Sequence, residues 1–475
     1  MTKSLFNLQF IIALSLSMVN AAWAVSVPSI FGSHMVLQQK SEVTIWGAGK
    51  PGEEITVTGS WNNKPFTTKA SNQAKWQLKL NTPAAGGAYT VTIKGYNTLV
   101  LEDVLLGEVW LCSGQSNMEW SPAGGIEKAE QEIPEASYPE IRFFSVGNQT
   151  ANGPQLDLQG EWVVCTPETM KNFSAIGYFF GRELHQTLDV PMGLINSSWG
   201  GTPGEVWVSP ETIAQDPVLK TAAATLKEVP YGPVQPGKAY NAMIAPLIPF
   251  RIAGALWYQG ESNTGSPEAY ATLLPALINN WRNGWGYEFP FYFVQIAPYK
   301  DYGPQAGAIL RDAQRRSLKV PNTGMVVISD IGNNDDIHPR NKIDVGMRLA
   351  NLALNKTYGK TDRPASGPLF RAMKVEGRKA RINFDYADQG LVRRGKELTN
   401  FEIAGKDHKF VKADAKIVGS TVVVQAKSVK NPVAVRYEWS NTVTPTLFNK
   451  SGLPASSFST ESFAAQNQAE AKETN

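Results

Sequence analysis

Val109-Trp110-Leu111-Cys112-Ser113-Gly114-Gln115-Ser116-Asn117-Met118 is the stretch whose reading sets the fold. Its first four residues have the continuous apolar character of a strand buried on both faces, and the small residues after them permit a tight turn from which a hydroxyl can project. This places Ser116 at the carboxyl end of a strand, where ligands bind in a parallel sheet. Ser116 is therefore a candidate nucleophile, although a serine in such a turn also serves as a turn or helix-capping residue.

Working outward, the pattern alternates strands with helices. Phe173 to Leu188 has helical spacing, Gly193 to Asn196 and Ala253 to Gln259 read as strands, and Pro267 to Trp281 reads as a helix. Phe291 to Ile296 is strand-like, Gly307 to Leu318 helical, and Met325 to Ile328 strand-like before Asp330. Such alternation predicts an α/β unit over 104–363, with a parallel sheet wrapped on both faces. Upstream, in 25–103, short β-prone runs such as Val43-Thr44-Ile45-Trp46 and Tyr89-Thr90-Val91-Thr92-Ile93 stand between Gly and Pro turns and predict a small β-sandwich. The β pattern returns over 364–465, as in Thr421-Val422-Val423-Val424-Gln425, and predicts an additional C-terminal β region before a polar tail at 466–475.

Composition narrows the function. The 475 residues are 42% hydrophobic and 18% charged, enough apolar material for a sizeable core, and 45 Lys plus Arg against 42 Asp plus Glu leave a balance of +3. That is no footprint for nucleic acid or for an anionic membrane surface. Two cysteines and four histidines leave little for a cysteine-rich or all-histidine metal centre. Residues 1–24, with Lys3, an apolar stretch through Phe10 to Leu16 and the small-residue end Ala22-Trp23-Ala24, read as a secretory signal peptide. The expected location is periplasmic or secreted, with no membrane contact after signal removal. In that compartment Cys112 and Cys165 either pair or remain two buried thiols.

A serine nucleophile needs a base, and histidine is the side chain tuned for that near neutral pH. Of the four, His34 falls in the predicted sandwich, His185 inside a helix and His408 in the late β region. His338 follows a strand of the α/β unit in Asp335-Asp336-Ile337-His338-Pro339, where two carboxylates could hold its imidazole. Acyl transfer also needs donors for a developing oxyanion. Backbone N–H groups at Gly200 and Gly201, and the carboxamides of Gln259 and Asn263, stand in loops after two predicted strands. Turn chemistry and network hydrogen bonding account for the same residues. Arg311 reads as half of an exposed helix salt bridge, and Trp120, Trp199, Trp207 and Trp257 as core or interface residues.

The words Gly-Glu-Val-Trp-Leu-Cys-Ser-Gly-Gln-Ser-Asn-Met-Glu-Trp (107–120), Ser-Ala-Ile-Gly-Tyr-Phe-Phe (174–180), Trp-Gly-Gly-Thr-Pro (199–203), Tyr-Asn-Ala-Met-Ile-Ala-Pro-Leu (240–247), Trp-Tyr-Gln-Gly-Glu-Ser-Asn (257–263) and Asp-Ile-His-Pro-Arg-Asn-Lys (336–342) resemble the sialate O-acetylesterase family of SGNH hydrolases. The resemblance implies an SGNH, flavodoxin-like domain with Ser116 as nucleophile, His338 as base, and neither metal nor cofactor. It implies an oxyanion hole from the N–H groups of Ser116 and the Gly200-Gly201 turn plus the Gln259 carboxamide, a structural or substrate-orienting role for Arg311, and stacking of Trp120, Trp199, Trp207 or Trp257 on sugar faces as the alternative to a core role. The usual acid three residues before the histidine selects Asp335; family members with the acid two before match Asp336, and some lack either. The implied activity is removal of acetyl groups from O-acetylated sugars, sialate foremost. An acetylxylan or hemicellulose esterase and a catalytically silent carbohydrate-binding protein are the alternatives.

Overall fold

A computed structural model describes residues 25–463. The signal-peptide and polar-tail readings fall on 1–24 and 466–475, outside the described residues. The central sheet comprises β1 (Thr98–Gly114), β2 (Tyr138–Ser145), β3 (Trp162–Cys165), β4 (Met192–Ser198), β5 (Gly254–Tyr258), β6 (Phe291–Val294) and β7 (Thr323–Val326). Their spatial order is β7-β6-β5-β1-β4-β2-β3. All neighbours run parallel except β3, which closes one edge antiparallel to β2. The chain leaves β1 toward one edge and later returns to build the other half from β5 outward, so β1 lies at the topological switch point, where α/β sheets bind ligands.

Alternate residues of β1 feed opposite layers. Trp110 and Cys112 pack with α2 (Ala175–Leu188) and α5 (Lys342–Lys356). Val109 and Leu111 belong to the cluster that holds α3 (Tyr270–Trp285) and α4 (Ala306–Arg316). This is the near-continuous apolar strand expected of a sheet covered on both faces. Ser174 caps α2 by accepting the Gly177 N–H at 3.1 Å, and Asn341 caps α5 by accepting the Asp344 N–H at 3.0 Å.

The 17 residues of β1 form one strand through the expected boundary at 103/104. Its first half pairs antiparallel with Gly86–Lys94 and, near Leu105 to Gly107, parallel with Val36–Gln38; its second half pairs with β4 and β5. On the sandwich side, the pair Glu42–Ala48 and Lys75–Asn81 packs Ile45, Trp76 and Leu78 over Ile55, Val57 and Val91 of the β1-linked sheet. These residues share one cluster with the α3 and α4 side of the central sheet, so sandwich and α/β unit have a continuous apolar core. The C-terminal region is wholly antiparallel, in two four-stranded sheets and one two-stranded sheet, and encloses its own cluster around Ile382, Phe401, Val424, Tyr437 and Phe458.

Arg311 does not form an exposed helix salt bridge: it is fully buried, with Nε donating to Ser457 Oγ at 3.1 Å and Nη2 to the Ser440 carbonyl. It thereby joins α4 to the C-terminal region. Cys112 and Cys165 are free and buried, and burial pushes both thiols up to about 12. Among the described residues no helix is long and apolar enough to cross a membrane.

Candidate active site

Strand register assembles the site. Gly114, the last residue of β1, is level with Ser198 on β4 and Tyr258 on β5, so the nucleophile turn and the loops at 199–203 and 259–263 leave the sheet side by side. Gly114 has φ +138°, and a Cβ there would lie 2.1 Å from the Tyr258 carbonyl oxygen. Only glycine satisfies both constraints. The turn is tied to both neighbours: the Trp199 N–H donates to the Gly114 carbonyl at 3.0 Å and the Gln115 N–H to the Tyr258 carbonyl at 3.0 Å. Gln115 Oε1 also accepts from the Ser262 N–H at 3.2 Å.

Ser116 opens the short helix α1 (Ser116–Glu119), and its Oγ stands 2.8 Å from His338 Nε2. The imidazole lies on the Trp120 ring, with centroids 4.7 Å apart and planes 24° from parallel, which fixes its plane. Burial and the nearby Lys342 charge lower its pKa, and Asp336 partly opposes them. His338 is thus held in the neutral form that can accept a serine proton.

The structure does not bring Asp335 to the imidazole. Its carboxylate is 76% exposed and pairs with Lys300 Nζ at 2.8 Å, because the loop turns its side chain to solvent. Asp336 Oδ1 instead accepts the His338 backbone N–H at 2.9 Å and shapes the loop. Among the described residues neither carboxylate hydrogen-bonds to the His338 ring.

Gly200 meets the nucleophile closely, since a Cβ on it would lie 3.4 Å from Ser116 Cβ. Its N–H donates to Glu119 Oε2 at 2.7 Å, which ties the turn to α1. Gly201, at φ +72°, has the Tyr231 ring 2.3 Å from where a Cβ would stand. Gln259 and Asn263 do other work than the family resemblance implies for the first of them. Both Gln259 N–H groups are engaged, by Asn263 Oδ1 at 2.6 Å and the Thr202 carbonyl at 3.3 Å, and its side-chain oxygen accepts from the Tyr270 hydroxyl at 2.8 Å. Asn263 accepts the Gly204 N–H at 2.8 Å and donates to Glu205 Oε2 at 2.8 Å. Together they form a buried support under the 199–207 loop rather than a set of free donors. Of the four tryptophans, Trp207 and Trp257 are core residues packed edge to face, whereas Trp120 and Trp199 are partly exposed beside the site.

Three contributors have no role in the sequence reading: Asn117, Glu119 and Lys342. Asn117 Nδ2 donates to Glu261 Oε1 at 2.7 Å and to the Ile337 carbonyl at 3.0 Å, and its Oδ1 accepts from Lys342 Nζ at 2.5 Å. Lys342 carried a signal, standing in register with Val345, Gly346 and Leu349 on the buried face of α5.

A hydroxyl and an imidazole in contact at the switch point of a doubly wrapped parallel sheet have the geometry of a carboxylic ester hydrolase. Residues 106–355 match the family model described as carbohydrate esterase, sialic acid-specific acetylesterase. The chain is 32% identical to a sialate O-acetylesterase of Rattus norvegicus, over 86% of this chain and 89% of the relative. It is 33% identical to that of Homo sapiens, over 86% and 87%. A solved carbohydrate acetylesterase from Xanthomonas citri superposes with a TM-score of 0.84 at 37% identity, covering 93% of this chain and all of that one. The chain belongs to the sialic acid-specific acetylesterase family of carbohydrate esterases.

Proposed function

We infer that this enzyme releases acetate from O-acetylated sugars through an acetyl-enzyme on Ser116, with His338 as general acid and base. The observation that carries the reading is the 2.8 Å approach of Ser116 Oγ to His338 Nε2 at the switch point. Ser116 Oγ attacks the acetyl carbonyl carbon while its proton passes to His338 Nε2. The charge developing on the carbonyl oxygen is met by the Ser116 N–H at the first position of α1, where helix N–H groups lack intrahelical partners; the Gly200 N–H is already taken by Glu119 Oε2, which anchors the turn beside it. His338 then returns the proton to the departing sugar oxygen. Water, deprotonated in turn by His338, attacks the acetyl-enzyme, and His338 returns that proton to Ser116 Oγ as the ester bond breaks and acetate leaves.

Sialate is the first substrate to test, because the rat and human relatives bear that name. The Xanthomonas citri structure, named for carbohydrate at large, supports acetylxylan or another acetylated glycan as the second reading. The mature enzyme works in the periplasm or outside the cell, a reading supported by the pattern of residues 1–24. Ser116→Ala should lower acetate release from an activated acetyl ester by roughly four orders of magnitude or more while leaving the melting temperature near wild type; an active Ser116→Ala variant overturns the assignment. Comparing acetate release from O-acetylated sialic acid and from acetylated xylan separates the two substrate readings.

A further inference from the structure

Lys342 is in an unfavourable place for a lysine. It is 1% exposed, and it opens α5, where the helix dipole disfavours a cation. Its ammonium nevertheless reaches Asn117 Oδ1 at 2.5 Å, and the same carboxamide donates to Glu261 Oε1 and to the carbonyl of Ile337, the residue before His338. One amide thus joins the residue after the nucleophile, the residue before the base, the 259–263 loop and α5.

We propose that Lys342 is a positioning residue for the Ser116–His338 pair, holding the nucleophile turn, the histidine loop and the 259–263 loop in register through the Asn117 carboxamide. The proposal rests on the serine–histidine reading above and names a residue that acts through it. Lys342 Nζ lies 5.9 Å from the centroid of the Trp120 ring, whose stacking partner is His338, and 5.8 Å from that of Tyr258. The charged groups acting on Lys342 are Glu261 and Asp336, which favour its ammonium; burial works against it and brings its pKa down to about 7. Those acting on His338 are Lys342 from α5 and Asp336 from its own loop, while Ser116 and Trp120 face it uncharged. Below neutrality the ammonium is present and opposes protonation of the imidazole, so the base stays free as the solution becomes more acidic.

The test is the pH profile of kcat/KM on an activated acetyl ester, with kcat and KM resolved, for wild type, Lys342→Met and Lys342→Gln. Lys342→Met should lose about tenfold or more in kcat with KM changed less than about twofold, and its acidic limb should move up by about half a pH unit or more. Lys342→Gln can still donate to Asn117 Oδ1, so it should recover most of kcat while the limb stays displaced. A limb that stays in place in both variants overturns the proposal, whether activity is kept or falls only with the folded fraction. If Lys342→Met does not fold, an unmoved limb in Lys342→Gln overturns it alone. Retained activity in Ser116→Ala would remove the underlying serine–histidine reading instead; an inactive Ser116→Ala beside an unmoved Lys342 profile removes this inference only.

Discussion

Asp335 and Asp336 are adjacent carboxylates with opposite surroundings, one paired with Lys300 in solvent, the other holding the His338 backbone. Asp335→Asn should leave kcat/KM within about twofold, because an exposed ion pair contributes little. Asp336→Asn should reduce kcat and move the acidic limb to lower pH, since Asp336 is the charge that favours imidazolium; steady-state profiles of both variants check this. In the wild type, the lowered His338 pKa keeps activity below the ordinary histidine midpoint of about 6.5. Ser116 and His338 were legible because a nucleophile turn after an apolar strand is locally encoded and only four histidines compete for the base. The carboxamides were not: Gln259 and Asn263 donate and accept equally well in an oxyanion hole or a buried network, and only the fold decides which.

At the scale of elements, the nucleophile turn depends on glycine at 114. Gly114→Ala adds a Cβ against the Tyr258 carbonyl in a backbone region closed to side chains, and should cost at least about 2 kcal/mol in denaturant titration together with most of the activity. Removing the Glu119 carboxylate should loosen the Gly200 turn rather than the fold: Glu119→Ala is expected to lower kcat about tenfold with little change in melting temperature. The longer elements were readable from periodicity, with small shifts at the ends. The helix expected from Phe173 begins at Ala175 after its Ser174 cap, and the strand expected at Met325 to Ile328 occupies Thr323–Val326. The helix expected at Pro267 begins with a 3₁₀ turn and becomes α-helical from Tyr270. Neither β2 nor the edge strand β3 was resolved by pattern, since their pairing is set by neighbours far along the chain.

Across the whole molecule, the parts are joined by buried contacts. Arg311 and Glu438 are both fully enclosed where α4 meets the C-terminal region, and Glu438 is the leading charge acting on the guanidinium. Arg311→Met removes the donors to Ser457 Oγ and the Ser440 carbonyl and should destabilise the protein by about 2 to 3 kcal/mol in denaturant titration. The thiols report on the other face of the central sheet, with α2 and α5: two should react with a thiol reagent in unfolded, unreduced protein and essentially none in the native state. The sandwich and the C-terminal β region were legible from turn spacing, but their attachment was not, because the first passes into the catalytic sheet inside one strand. That strand has an evolutionary consequence. A domain carried on a linker can be exchanged by recombination between genes, whereas here any exchange at 103/104 would cut through hydrogen-bonded β1 and displace the serine at its end. The N-terminal sandwich and the catalytic unit should therefore resist exchange at that point.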